Sequence, residues 1–145
     1  MEEKINMAAY IRQSFNIPDT DIKSYSGLAL AYIGDAIYDL VIRTFIVEQG
    51  NAPVNKLHQK VIKLVQASAQ ARHYHMIQDI LTEEEMAVFR RGRNSKSIHP
   101  SKNADLSDYR IATGLEALMG YLYLTGRTAR MLELMQPIFK DEINN

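Results

Sequence analysis

The sequence predicts a single all-α domain over residues 1–145. Three observations carry that prediction: nearly every segment places apolar residues at helical spacing, no run alternates with period two, and no repeat or low-complexity linker divides the chain. At 145 residues one sizeable core can form. A composition of 46% apolar and 23% charged residues is that of an ordinary soluble protein.

The elements follow in order. A first helix is expected over residues 3–15, ended by the turn formers Asn16 and Pro18. Ser24 or Ser26 can cap a second helix that runs to Glu48, with Gly50 closing it. This helix is apolar on most of its circumference, which predicts a place at the centre of the bundle. Pro53 opens a third helix, expected to reach residue 80, with Leu57, Val61, Leu64 and Val65 as its apolar stripe. Thr82 and Glu85 form a capping box for a short fourth helix ending near Gly92. Residues 91–105 hold turn formers without apolar periodicity and read as the one long loop, a feature that is often functional in compact domains. Asp105 or Ser107 starts a helix to Leu124, and a last helix covers residues 129–143.

Composition excludes several chemistries. There is no cysteine, hence no disulfide, no thiolate zinc site and no cysteine nucleophile. The N-terminus is acidic and lacks the blocks of a signal peptide. The longest apolar stretch is interrupted by Asp35, Asp39 and Arg43, too many charges for a lipid-facing span. A cytoplasmic protein with no membrane partner is expected. The zero net charge conceals a separation: residues 49–104 carry nine Lys and Arg against four acids, and the flanks carry eight against thirteen. A basic middle can present one positive face, although solvated helix faces produce such runs as well.

Two carboxylates stand out by context. Asp35 is the only charge between Lys23 and Asp39, and Glu116 the only one between Arg110 and Arg127. Taken singly, each is better explained by solvent exposure or an internal ion pair than by a functional role. Their neighbours change the weighting: Gly34 precedes Asp35, while Gly114 and Gly120 bracket Glu116. Glycine inside a helix costs about 1 kcal/mol relative to alanine, so these positions point to close backbone approach, or to a ligand. Two helices crossing there would converge their carboxylates on one cation. Oxygen donors without cysteine or a helical His pair favour Mg2+, with Mn2+ as the alternative, over zinc. Asp39 reads better as a partner of Arg43, and Asp108 as the acidic start of its helix. His73 and His75 lie two apart and turn away from each other on a helix, and all four histidines read as structural or surface residues.

At these residues a resemblance appears. GLALAYIGDAIYDL at residues 27–40 is similar to the signature segment of the ribonuclease III family, with its Gly-Asp-Ala. YRIATGLEALMGYLYL at 109–124 resembles that family's second acidic segment, with its Glu-Ala-Leu. TEEEMAVFRRGRNSKS at 82–97 is similar to the corresponding loop of the family's Mini-III branch. Order and spacing match across residues 27–124. The resemblance implies a ribonuclease III-type helical bundle that works as a homodimer. The implied activity is metal-dependent endonucleolytic hydrolysis of phosphodiester bonds in double-stranded RNA. Within the branch, it implies maturation of the 23S (large-subunit) ribosomal RNA precursor, with ribosomal proteins on that precursor as candidate partners, and no separate double-stranded-RNA-binding domain.

By position, Asp35 and Glu116 match two of the family's four catalytic acids. Ala31 and Thr113 stand where the family has a glutamate and an aspartate. That thinning is also a mark of the Mini-III branch, and it leaves one-metal and two-metal chemistry both open. Asp35 is the expected direct metal ligand, with Glu116 joining directly or through water. With no Ser–His or Cys–His arrangement evident, a covalent intermediate is not expected.

Duplex RNA presents phosphates, 2′-hydroxyls and a shallow minor groove, so cations spaced along its backbone must hold it. Arg90, Arg91, Arg93 and Lys96 are the expected contacts, with Asn94 hydrogen-bonding sugar or phosphate. Lys56, Lys60 and Lys63 form a second set along one helix. Cutting both strands is most simply done by two sites related by two-fold symmetry, with the second or the fifth expected helix as interface. The alternatives are a non-catalytic RNA-binding dimer that lost activity with Ala31 and Thr113, and a helical protein-interaction module.

Overall fold

The computed structural model describes residues 6–95 and 105–144. Its helices are α1 (Met7–Ser14), a 3-10 turn (Ile22–Ser24), α2 (Gly27–Glu48), α3 (Val54–Val65), α4 (Ala67–Ile77), a second 3-10 turn (Gln78–Ile80), α5 (Glu83–Arg93), α6 (Leu106–Leu124) and α7 (Thr128–Asn144). No strand occurs among the described residues, and none of their helices is long and apolar enough to cross a membrane.

The caps sit largely where the residue types predict them. Ser26 accepts the Ala29 N–H at 3.0 Å and starts α2, while Ser24 lies in the 3-10 turn. Thr82 and Glu85 form a reciprocal capping box on α5. Asp105 caps α6, accepting from Ser107 N–H at 2.7 Å. Each such cap is worth about 1 kcal/mol. Gly50, at φ 147°, follows the end of α2. Helix α1 begins later than expected, because Asn6 is extended and caps it; the expected start at residue 3 lies outside the described residues.

Two expectations are corrected. The single helix expected from Pro53 to residue 80 is broken: Gln66 is extended (φ −69°, ψ 158°), ending α3 and opening α4. Breaking the ladder frees the Val65 carbonyl, which a continuous helix would pair with the Ala69 N–H. The Gln70 side chain takes it instead, donating from Nε2 at 2.9 Å. No glycine or proline marks the break. The central helix, moreover, is α6 and not α2. Leu115, Ala117, Leu118, Met119 and Leu122 are fully buried, and α6 packs against α1, α2, α4, α5 and α7. Helix α2 buries Leu30, Ile37, Tyr38, Ile42 and Ile46 but leaves Leu28, Tyr32, Leu40 and Val47 exposed. Its all-round apolarity therefore reflects two different faces, one packed and one left exposed among the described residues.

Two of the polar side chains buried with this core, His73 and Glu85, are fully paired. His73 is 1% exposed, with Nε2 2.9 Å from the Leu134 carbonyl and Nδ1 3.0 Å from the Tyr38 hydroxyl. A carbonyl only accepts, so Nε2 carries the proton and Nδ1 accepts from Tyr38. Burial lowers the His73 pKa to about 4, against the opposing pull of the Leu134 carbonyl, and keeps the ring neutral while it ties α2, α4 and α7 together. Glu85 is buried against Arg130, which donates to both carboxylate oxygens at 2.8 Å and also reaches the Ile80 carbonyl.

Helices α2 and α6 cross at glycines. A Cβ on Gly34 would overlap the Glu116 carbonyl, and one on Gly120 would overlap the Leu30 carbonyl. Both obstacles are backbone, so no side-chain rotation relieves them. Gly34→Ala and Gly120→Ala are each expected to destabilise the chain by about 1–3 kcal/mol or more, read as a fall in Tm by calorimetry; an unchanged Tm for either would show that the crossing is looser than described.

Candidate active site

The two isolated acids of the sequence meet at this crossing. Gly34 sets the α2 backbone directly against the Glu116 carbonyl, so the neighbouring side chain of Asp35 lies beside that of Glu116. Each carboxyl lies within electrostatic reach of the other. Asp35 faces solvent and Glu116 is half-buried. Burial, followed by the charge of Asp35, pushes the Glu116 pKa up to about 8, while the hydrogen bond from Gln70 opposes the rise. Two carboxylates at this distance disfavour each other's ionisation, and a cation between them would remove the penalty.

A third group completes the site. Gln70, in the first turn of α4, is 2% exposed, and its Nε2 donates to Glu116 Oε2 at 3.2 Å. The same Nε2 serves the Val65 carbonyl, and Oε1 is buried with no hydrogen-bond partner among the described residues. An acceptor left so costs about 1–3 kcal/mol. The sequence analysis missed Gln70, since glutamine carries no motif and the break at Gln66 that aims it has no marker residue.

No cluster of three or more His, Asp or Glu able to hold a metal occurs among the described residues. Asp39 pairs with Arg43 at 2.8 Å, as its spacing suggests. Ala31 is buried in the core, and the Thr113 hydroxyl donates to the Tyr109 carbonyl at 3.0 Å, so neither position supplies a donor. The oxygen donors at the site are therefore the two carboxylates, with the Gln70 amide beside Glu116. That set suits a hard divalent cation of the magnesium type, which keeps several waters and takes only one or two carboxylates from protein.

The expected RNA contacts separate. Arg90, Arg91 and Arg93 belong to the last turn of α5 and not to a loop. Arg90 is exposed. Arg91 is half-buried and donates from Nη2 to the Tyr25 carbonyl, clamping the end of α5 to the start of α2. Arg93 lies over the Phe89 ring and donates to Asn94 Oδ1 at 3.1 Å. Lys56, Lys60 and Lys63 are all exposed on α3, while Lys96 lies outside the described residues. A cleft of about 560 Å³ brings Arg93 and Asn94 together with Arg110 and His75. Sequence reasoning did not single out the last two for this surface, because they come from α6 and α4, helices separate in sequence from α5.

The chain is similar to known proteins in sequence and in fold. A family model described as the ribonuclease III domain matches residues 28–127. A Mini-ribonuclease 3 of Clostridium tetani is 50% identical over 117 residues, covering 80% of this chain and 78% of the relative. A Mini-ribonuclease 3 of a Thermoanaerobacter species is 45% identical over 131 residues, covering 90% and 92%. A crystal structure of a Fusobacterium nucleatum protein superposes with a TM-score of 0.77 at 33% identity, covering 84% of this chain and 99% of that one.

The raised Glu116 pKa makes stability depend on pH with a definite sign. The folded chain holds this proton up to about pH 8, whereas an unfolded glutamate releases it near 4.5. The contribution is therefore complete below 4.5 and lost as pH rises through about 8. In metal-free buffer, Glu116→Gln is expected to become increasingly favoured over the unsubstituted protein across that window in denaturant titrations. A stability difference that stays flat with pH would contradict it.

Proposed function

This chain belongs to the ribonuclease III family, on its Mini-ribonuclease 3 branch, and from that membership we propose that Asp35 and Glu116 are the pair with which it hydrolyses double-stranded RNA. The observation that carries the assignment is the meeting of these carboxyls from separate helices, with Glu116 held partly out of water and unpaired with any cationic side chain among its described hydrogen bonds. They are the ligands of a divalent cation, Mg2+ or Mn2+, which when bound supplies an acidified water and neutralises charge on the leaving oxygen. Asp35, at the solvent edge, meets the phosphate side. Glu116, deeper and fixed by Gln70, anchors the inner side.

Exposed Arg90 and the lysines of α3 hold the duplex by its phosphates, with Arg93 and Asn94 contributing from the adjoining cleft. Arg91 acts through the N–H groups not given to Tyr25. Two copies paired through the exposed apolar face of α2, at Leu28 and Tyr32, would direct two sites at the two strands. The apolar surface of α6 is consumed by the core, which favours α2 for this contact. The substrate in the cell is the large-subunit ribosomal RNA precursor, met in the cytoplasm together with ribosomal proteins.

Cleavage of a long RNA duplex tests the assignment. Chelation is expected to stop it, and Asp35→Asn or Glu116→Gln to slow it at saturating RNA by about a hundredfold or more, beyond the usual effect of groups outside the metal's ligand shell. Cleavage that persists in both variants would remove these acids from the chemistry.

A second measurement separates holding from cutting. Arg90→Ala and Lys60→Ala are expected to weaken duplex binding and to reduce the log–log salt slope by roughly 0.7–0.9 per lost contact, while leaving cleavage at saturating RNA intact. An unchanged slope would place the RNA elsewhere.

A further inference from the structure

Gln70 has a fixed orientation. The Val65 carbonyl can only accept a hydrogen bond, so the amide nitrogen must face it. That nitrogen also donates to Glu116 Oε2, and exchanging the amide ends would set oxygen against oxygen at the Val65 carbonyl. Oε1 is bonded to the same carbon as Nε2 and so lies within one water's reach of the Glu116 carboxyl. It is buried, and has no donor among the described residues. The two positions at which acids are missing do not compensate: Ala31 is apolar, and the Thr113 hydroxyl is engaged by the Tyr109 carbonyl.

We propose that Gln70 is a positioning residue of the acid pair, clamping Glu116 through Nε2 and accepting at Oε1 a hydrogen bond from the hydrated divalent cation. The proposal rests on Asp35 and Glu116 being the cation's ligands. Magnesium and manganese retain water when protein supplies few carboxylates, and those waters present hydrogens that need acceptors. A neutral amide serves here better than a third carboxylate would. It offers an acceptor oxygen without adding charge to a pair that already repels, and its N–H end holds Glu116 in place. Groups of this kind typically change metal affinity 10–100-fold when removed.

Mn2+ binding to the full chain, followed by electron paramagnetic resonance without RNA, tests this directly. Gln70→Met keeps length and volume while removing both polar ends, and Gln70→Asn withdraws the amide by one methylene. Both are expected to bind Mn2+ about tenfold or more weakly, and to need correspondingly more Mg2+ for half-maximal cleavage with the KM for duplex unchanged. Asp35→Asn, measured alongside, is expected to abolish binding. If Asp35→Asn binds Mn2+ normally, the reading of the acid pair fails. If it abolishes binding while both Gln70 variants bind as the unsubstituted chain does, the role given to Gln70 fails alone. A lowered Tm with unchanged Mn2+ affinity, or loss of fold in both variants, likewise overturns it and leaves Gln70 as a clamp on α3.

Discussion

Helices α2 and α6 touch backbone to backbone, since Gly34 and Gly120 leave no side chain between them. Ordinary helix pairs are kept apart by the side chains at their crossing. Here the Glu116 carbonyl rests on the α carbon of Gly34, and this contact decides where everything else lies. It sets Asp35 next to Glu116, gives Glu116 its partial burial, and makes α6 the helix around which α4, α5 and α7 assemble. A wider crossing would return Glu116 to water and leave the two acids as unrelated surface charges.

Two glutamates, one buried and one half-buried, show how the fold distributes its cations. Glu85 receives both nitrogens of the Arg130 fork together with the Thr82 N–H, and these contacts hold its carboxyl below the usual range. Glu116 receives a neutral amide and faces another carboxyl, and it is held above that range. Burial alone cannot account for the contrast, because desolvation raises both. The difference lies in what each carboxyl meets. One is completed within the chain, while the other is left with a deficit of positive charge that suits an external cation.

Much of this was legible in the sequence. Thr82 with Glu85 announces α5, while the starts of α2 and α6 were narrowed to Ser24 or Ser26 and to Asp105 or Ser107, of which Ser26 and Asp105 cap. Asp35 and Glu116 could be picked out because charge is rare in apolar helices and glycine is costly there. What was illegible depended on partners. The break at Gln66 has no glycine or proline because the Gln70 side chain completes the freed carbonyl from outside the local pattern, and reading α3 and α4 as one helix hid Gln70 with it. Arg91 looked like a loop cation because its acceptor, the Tyr25 carbonyl, is 66 residues away. The apolar circumference of α2 was visible, but periodicity cannot tell a face that meets α6 from one left exposed among the described residues.

The Gln70 amide serves two acceptors belonging to different helices, the terminal carbonyl of α3 and the carboxyl on α6. Helix α3 also carries the exposed row Lys56, Lys60 and Lys63. The end of that helix and the acid are therefore linked like two arms on a single pivot: neither can shift by more than a fraction of an ångström without lengthening one bond or dragging the other. In this arrangement the lysine row and the carboxyl pair keep a common frame of reference that the covalent chain alone would not impose.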